Sequence, residues 1–119
     1  MGEGRGKVVK RTIKVYYDCD NLKERDFLDV LLGIEEEGLP YETQGFHESD
    51  ILGLAHKASL DSRLGVGIGV SKEGIALQYE KLEETTPLFK IKYYQRDQFR
   101  AMGTNAARLV KRVPFVPID

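Results

Sequence analysis

The sequence predicts an α/β domain of three layers, αβα, on a mixed, mostly parallel five-stranded sheet that carries one antiparallel strand. Three observations predict it. Segments with the two-residue period of strands alternate with segments of helical period, in the order β-α-β-α-β-β-β-α. The β-α-β units require right-handed crossovers and parallel neighbours, which puts helices on both faces of the sheet. Between residues 64 and 80 two strand patterns meet across a short turn, and that hairpin makes one strand antiparallel.

The first strand is expected over Thr12–Tyr17 (TIKVYY), rich in β-branched and aromatic residues. What precedes it, residues 1–11, reads as a flexible basic arm with three glycines, leaving 12–119 as one domain. Asp18, Asp20 and Asn21 are turn and cap residues, and Asn21 with Glu24 has the spacing of a capping box. The next helix carries Phe27, Leu28, Leu31, Leu32 and Ile34 on one face, and Gly38 and Pro40 stop it. A short strand, Tyr41–Gln44, follows. Ser49 is placed to cap a second helix whose apolar stripe is Ile51, Leu54, Ala55 and Ala58.

Residues 64–70 (LGVGIGV) alternate strictly between apolar side chains and glycines, a strand period. After the turn Ser71–Gly74 the chain returns as Ile75–Glu80. The polar segment Lys81–Pro87 leads to a last strand, Leu88–Tyr93. The final helix spans about Gln95 to Lys111, with Phe99, Met102, Ala106, Leu109 and Val110 inward, and Pro114 and Pro117 keep the tail extended.

The chain has 119 residues, 41% of them apolar and 31% charged, ordinary values for a soluble globular protein. No apolar run approaches the ~20 residues of a membrane span, and the start lacks the apolar core of a secretory signal. A single cysteine, Cys19, cannot form an internal bridge, and a reducing, cytoplasmic setting is expected. Net charge is only −1, which argues against a nucleic-acid partner. Its distribution is uneven: residues 18–50 hold eleven acids against two bases, and residues 90–112 hold seven bases against Asp97 alone. An acidic lobe and a basic helix suit a protein that docks on another protein.

Catalytic signatures are missing. The glycines at 65, 67 and 69 lie inside a strand and lead into a hairpin, whereas a dinucleotide loop opens a helix. Their bare face is expected to admit another backbone or a flat ligand. Cys19, His47 and His56 match no zinc-finger or helical spacing, and no nucleophile, base and orienting group can be identified. The odd feature is Glu35-Glu36-Glu37, three carboxylates in the last turn of a helix, where the macrodipole already presents negative charge. Such a turn calls for a cation or a basic partner.

Three segments carry a family resemblance. Gly33–Pro40 (GIEEEGLP) resembles the GIEEEGIP segment of the small subunit of diol and glycerol dehydratase reactivating factors. Thr86–Phe89 (TPLF) and Asn105–Lys111 (NAARLVK), closing in Val113-Pro114-Phe115, resemble that family's APLF and NAARLVKGIPF. The likeness runs from about Thr12 to Phe115. It implies a non-catalytic subunit that docks on a large ATPase subunit of actin-type fold. It also implies exchange with the dehydratase's medium subunit, contact with the dehydratase large and small subunits, and so release of damaged cobalamin, with ATP used by the large subunit. Cytoplasmic residence follows, with microcompartment association left open.

The resemblance further implies that Glu36, by motif position, reaches a divalent cation across the subunit interface, Mg²⁺ in preference to Ca²⁺. Glu35, Glu37, Asn105 and Arg108 then belong at the partner surface or, for the last two, in the helix–sheet packing. The dehydratase's medium subunit is the alternative, since it shares the fold, an acidic segment and an N-A-A-R helix. Ser49-Asp50-Ile51 and Ser71-Lys72 resemble medium-subunit segments that lie against the corrin, which would make Asp50 and Lys72 cofactor-binding. The short Lys81–Pro87 segment favours the reactivating factor. The topology also resembles that of anticodon-binding modules, but no strand interleaves exposed aromatics with bases, and the acidic lobe opposes nucleic acid.

Overall fold

The structure, a computed structural model, describes residues 10–119, so the arm expected at 1–11 lies almost wholly outside the described residues. Five strands form one sheet: β1 (Ile13–Asp18), β2 (Tyr41–Phe46), β3 (Val66–Ser71), β4 (Gly74–Tyr79) and β5 (Phe89–Lys92). Their spatial order is β2-β1-β3-β4-β5. β1 pairs in parallel with both β2 and β3, whereas β4 runs antiparallel between β3 and β5. The anticipated sheet is therefore present, with β4 as its one reversed strand.

Helices α1 (Leu28–Glu36) and α3 (Phe99–Lys111) pack side by side on one face, and α2 (Ile51–Asp61) covers the other. Alternation along β1 divides the core between the faces. Ile13 and Val15 join Phe27, Val30, Ile34, Phe99 and Met102 under α1 and α3, while Tyr16 packs with Leu54 and Ala58 of α2. The Tyr16 hydroxyl donates to Asp61 Oδ2 at 2.6 Å, tying β1 to the end of α2. Burial first, and Asp61 second, push this phenol well above its usual range.

Several boundaries move by a residue for local reasons. The cap of α2 is Asp50, not Ser49: its Oδ1 accepts from Leu52 N at 3.1 Å. The anticipated Asn21–Glu24 box does not form. Asn21 donates instead to the buried Asp18, and a 3₁₀ turn over Glu24–Phe27 is fastened by Asp26 Oδ2 accepting from Lys23 N at 2.8 Å. Leu28, assigned to the apolar face of α1, is half exposed, and Val30 takes the core position. β2 continues to Phe46, two residues past its expected end.

The glycines of β3 are explained by α2. A Cβ on Gly67 would lie 2.2 Å from Ser59 N, and one on Gly69 would lie 2.5 Å from Ile51 O. Another backbone does lie against the bare face, and it is the chain's own second helix. That face is not available to a flat ligand. The α1–α3 contact works the same way. A Cβ on Gly33 would meet Arg100 O at 2.3 Å, and one on Gly103 would meet Val30 O at 1.9 Å. Both glycines are buried, and the two helices touch backbone to backbone there. This crossing sets α3 beside the acidic end of α1.

Candidate functional site: an acidic turn clasped by a basic helix

α1 ends in a Schellman motif. Gly38 takes φ +83°, its N–H donates to Glu35 O at 2.9 Å, and Leu39 N donates to Ile34 O at 3.4 Å. The reversal fixes the direction in which Glu35, Glu36 and Glu37 leave the helix. All three carboxylates stand where the helix dipole is negative. α3 supplies the compensation, one turn after another along its polar side.

Arg100 forks between two turns of α1, with Nη1 on Glu36 Oε2 at 2.7 Å and Nη2 on Asp29 Oδ1 at 3.3 Å. Asp29 first and Glu36 second hold this guanidinium above its usual range. Lys111 Nζ donates to Glu37 Oε1 at 2.8 Å and to the Glu37 carbonyl at 3.0 Å, so it caps the helix end as well as pairing with the side chain. Arg108 Nη2 donates to Glu37 Oε2 at 3.2 Å. Lys111, then Arg108, hold the Glu37 carboxyl below the ordinary carboxylate range. The turn is thus partly neutralised from within the chain.

The three glutamates consequently differ. Glu37 is half-buried and doubly engaged, Glu36 is exposed with one oxygen on Arg100, and Glu35 is exposed without a side-chain partner among the described residues. Among these residues no metal-sized group of three ligands forms at this turn. Glu36 offers a hard cation one exposed carboxylate and, among the described residues, belongs to no such group.

Asn105 does not reach a partner surface. It is fully buried, its Nδ2 donates to Val116 O at 2.9 Å, and its Oδ1 accepts from Val116 N at 2.8 Å. The amide mimics a strand neighbour and pins the tail. Arg108 reaches the same tail through Pro114 O at 3.3 Å, and Phe115 stacks edge-on against Phe89 at 5.3 Å. Between this tail, the end of α3 and the start of β3 lies a groove of about 500 Å³ with Arg63, Arg108 and Arg112 above an apolar floor.

Asp50 and Lys72 stand apart from the acidic turn. Asp50 caps α2, and the Lys72 ammonium lies 5.0 Å over the Tyr93 ring. Cys19 and His47 come together, with Asp20 beside them, whereas His56 is not part of that group. The sequence reading also missed Gln78. It is buried in β4, donates to Glu83 O at 3.0 Å and holds the short 81–87 loop against the sheet. An isolated polar residue in an otherwise apolar strand was the available signal.

Residues 10–116 match the family model described as dehydratase medium subunit. The propanediol dehydratase-reactivating factor small subunit of Salmonella typhimurium is 41% identical over 104 residues, 87% of this chain and 86% of that protein. Its counterpart from Citrobacter freundii is 47% identical over 88 residues, 73% and 76% of the respective chains. A solved diol dehydratase-reactivating factor, complexed with ADP and Mg²⁺, superposes with a TM-score of 0.85 at 33% identity, over 92% of this chain and all of that one. A glycerol dehydratase reactivase gives 0.84 at 31% identity, over 91% and 98%. The GIEEEGLP turn, the NAARLVK helix and the sheet that joins them place this chain in the dehydratase medium-subunit family, among the small subunits of diol and glycerol dehydratase-reactivating factors.

Proposed function

We infer that this chain is the non-catalytic small subunit of a reactivating factor that serves an adenosylcobalamin-dependent diol or glycerol dehydratase. The observation that carries the reading is identity of 41% across 87% of the chain with a propanediol dehydratase-reactivating factor small subunit. The chain docks on a large ATPase subunit, exchanges with the dehydratase's medium subunit, and thereby frees damaged cobalamin. Its contribution is shape and charge. The match across 86% of the length of that small subunit supports this role over that of a dehydratase subunit.

In this reading Glu35 and Glu36 face the large subunit, and Glu36 completes the coordination of Mg²⁺ held mainly by that partner. Arg100, Arg108 and Lys111 position the turn, and Asn105 acts only by holding the tail. One carboxylate cannot retain the ion alone, so metal binding and subunit association strengthen each other reciprocally. Arg100 must release or share Glu36 as the cation arrives. Because exposed ion pairs contribute little to folding, Glu36→Gln leaves the melting temperature of the free chain essentially unchanged.

The test is calorimetric titration of the chain into the large subunit, in Mg²⁺ and in EDTA, followed by recovery of activity from a dehydratase stalled with an inactive cobalamin. Wild type binds more tightly in Mg²⁺ and restores activity with ATP. Glu36→Gln loses the Mg²⁺-dependent part of binding. Equal affinity of the two in Mg²⁺ removes Glu36 from the metal. Reactivation by the large subunit without this chain removes the function.

A further inference from the structure

We propose that Cys19, Asp20 and His47 form a second, solvent-facing metal site, suited to a borderline-soft divalent cation such as Zn²⁺. His47 lies 28 positions from Cys19 and 27 from Asp20, yet the parallel pairing of β1 with β2 joins them. The register that sets Asp18 opposite Phe46 continues one step, with Cys19 N donating to Phe46 O at 2.9 Å. Cys19 and His47 therefore leave neighbouring strands side by side, at the carboxyl end of the sheet. Gly45 leaves room for the thiol: a Cβ there would stand 2.6 Å from Cys19 Cβ and 3.2 Å from its sulfur. Asp18 fastens the turn that carries Asp20, accepting from Asp20 N at 3.0 Å and from Asn21 Nδ2 at 2.8 Å.

The geometry separates a chelate from a proton relay. A relay uses both ring nitrogens of a histidine, one toward the nucleophile and one toward the orienting carboxylate. Here both neighbours address the same nitrogen: Cys19 Sγ lies 3.9 Å and Asp20 Oδ1 2.6 Å from His47 Nδ1. The ligand atoms of all three fall within 4.8 Å of one another. Around a tetrahedral Zn²⁺ the usual bond lengths place sulfur and nitrogen about 3.6 Å apart, and nitrogen and oxygen about 3.4 Å apart. The sulfur is already within a few tenths of an ångström of that spacing, and the exposed Asp20 carboxylate needs to withdraw by only about 0.8 Å.

Thiol and imidazole select Zn²⁺ or Co²⁺ over Mg²⁺ and Ca²⁺. Three ligands leave the fourth position to water or to a group from a partner. Binding converts the Cys19 thiol to a metal thiolate and releases its proton to solvent, so affinity falls as pH drops. The site is independent of the acidic turn. α1 starts beyond the carboxyl end of β1 and returns to the opposite end of the sheet, where Glu35–Glu37 precede β2. Loss of either site leaves the reading of the other intact.

The experiment titrates the reduced, untagged chain with Co²⁺ as the probe and follows absorption. The expected result is one equivalent bound with a thiolate-to-cobalt charge-transfer band and the intense visible bands of a tetrahedral site, both abolished by added Zn²⁺. Cys19→Ser removes the charge-transfer band. His47→Ala weakens binding by at least the ~10-fold that loss of even an outer-shell partner costs. His56→Ala binds as wild type. All three positions have side chains that reach solvent, and circular dichroism checks that the variants fold. Failure of wild type to show the charge-transfer band overturns the proposal and leaves His47–Asp20 as a surface hydrogen bond, and a band that survives Cys19→Ser or His47→Ala unchanged overturns it as well.

Discussion

Replacing Gly103 with alanine tests the α1–α3 crossing that carries the acidic turn. In an ordinary exposed helix this change stabilises by about 1 kcal/mol, because glycine has the greater freedom to lose. Here the added Cβ would stand 1.9 Å from Val30 O, 2.9 Å from Val30 C and 3.1 Å from Ile34 N. Restoring ordinary contact moves α3 outward by about 1.5 Å, and backbone atoms cannot turn aside as a flexible side chain can. Overpacking costs about 1–3 kcal/mol, and against rigid backbone the upper end of about 3 applies, so after the propensity gain a net loss of about 2 kcal/mol remains. For a domain of this length that lowers the melting temperature by roughly 8 °C. Urea and thermal unfolding followed by circular dichroism measure it. Gly53→Ala on α2 is the internal comparison, because its Cβ would meet only the carboxylate ends of Asp50 and Glu84, at 3.0 and 3.6 Å. That variant is expected to match or exceed wild type. A Gly103→Ala variant as stable as Gly53→Ala would refute the close crossing.

Two further outcomes rest on other contacts. Asn105→Ala leaves the Val116 N–H and C=O without their partner, costs about 2 kcal/mol, and removes the slow hydrogen exchange expected of the Val116 amide; unchanged protection there would show that the tail is held by something else. Glu42 is held at about 2, chiefly by Lys14, with Lys10 and Thr12 adding to it. A carboxyl depressed in the folded state contributes stability that is complete above its ordinary value of 4.5 and is lost as pH falls toward about 2. Glu42→Gln should therefore flatten urea stability across that window by about 1 kcal/mol, a figure kept small by solvent screening, while unfolding near neutral pH shifts by a similar amount. A parallel pH profile for variant and wild type would place the ion pairs elsewhere.

Much of this architecture is legible in the residues. The alternation in 64–70, the apolar spacing in α1 and α3 and the Gly38–Pro40 stop each give an element in place, because each depends on neighbours within a few positions. The acidic turn is legible too, since three carboxylates at a helix end conflict with the dipole. Its answer is not. Arg100, Arg108 and Lys111 meet it from 64 to 74 residues away, and that meeting depends on Gly33 and Gly103, which read as weak points in their helices until the crossing is seen. Asn105 reads as a polar residue on a basic helix, and only the return of the tail makes it a buried clamp. Cys19 and His47 share no spacing rule, because a parallel pair of strands separates its neighbours by a whole crossover.

The long reach of the α1–α3 clasp shapes how the chain becomes folded. β1, α1 and β2 emerge first in synthesis, yet the surface against which α1 rests is completed only when residues 99–111 arrive. Arg100 meets Asp29 across 71 positions and Lys111 meets Glu37 across 74. Ordering so large a loop precedes the reward of the contact, which slows folding relative to a chain of local contacts. Until then Val30 and Ile34 stay open to other chains, the kind of exposure that invites misassembly. The reversal at Gly38 is local to α1, whereas the basic residues that clasp the acidic turn arrive only with the last helix. Truncations that stop short of α3 would therefore keep three crowded carboxylates at a helix end and lose every cation that answers them there.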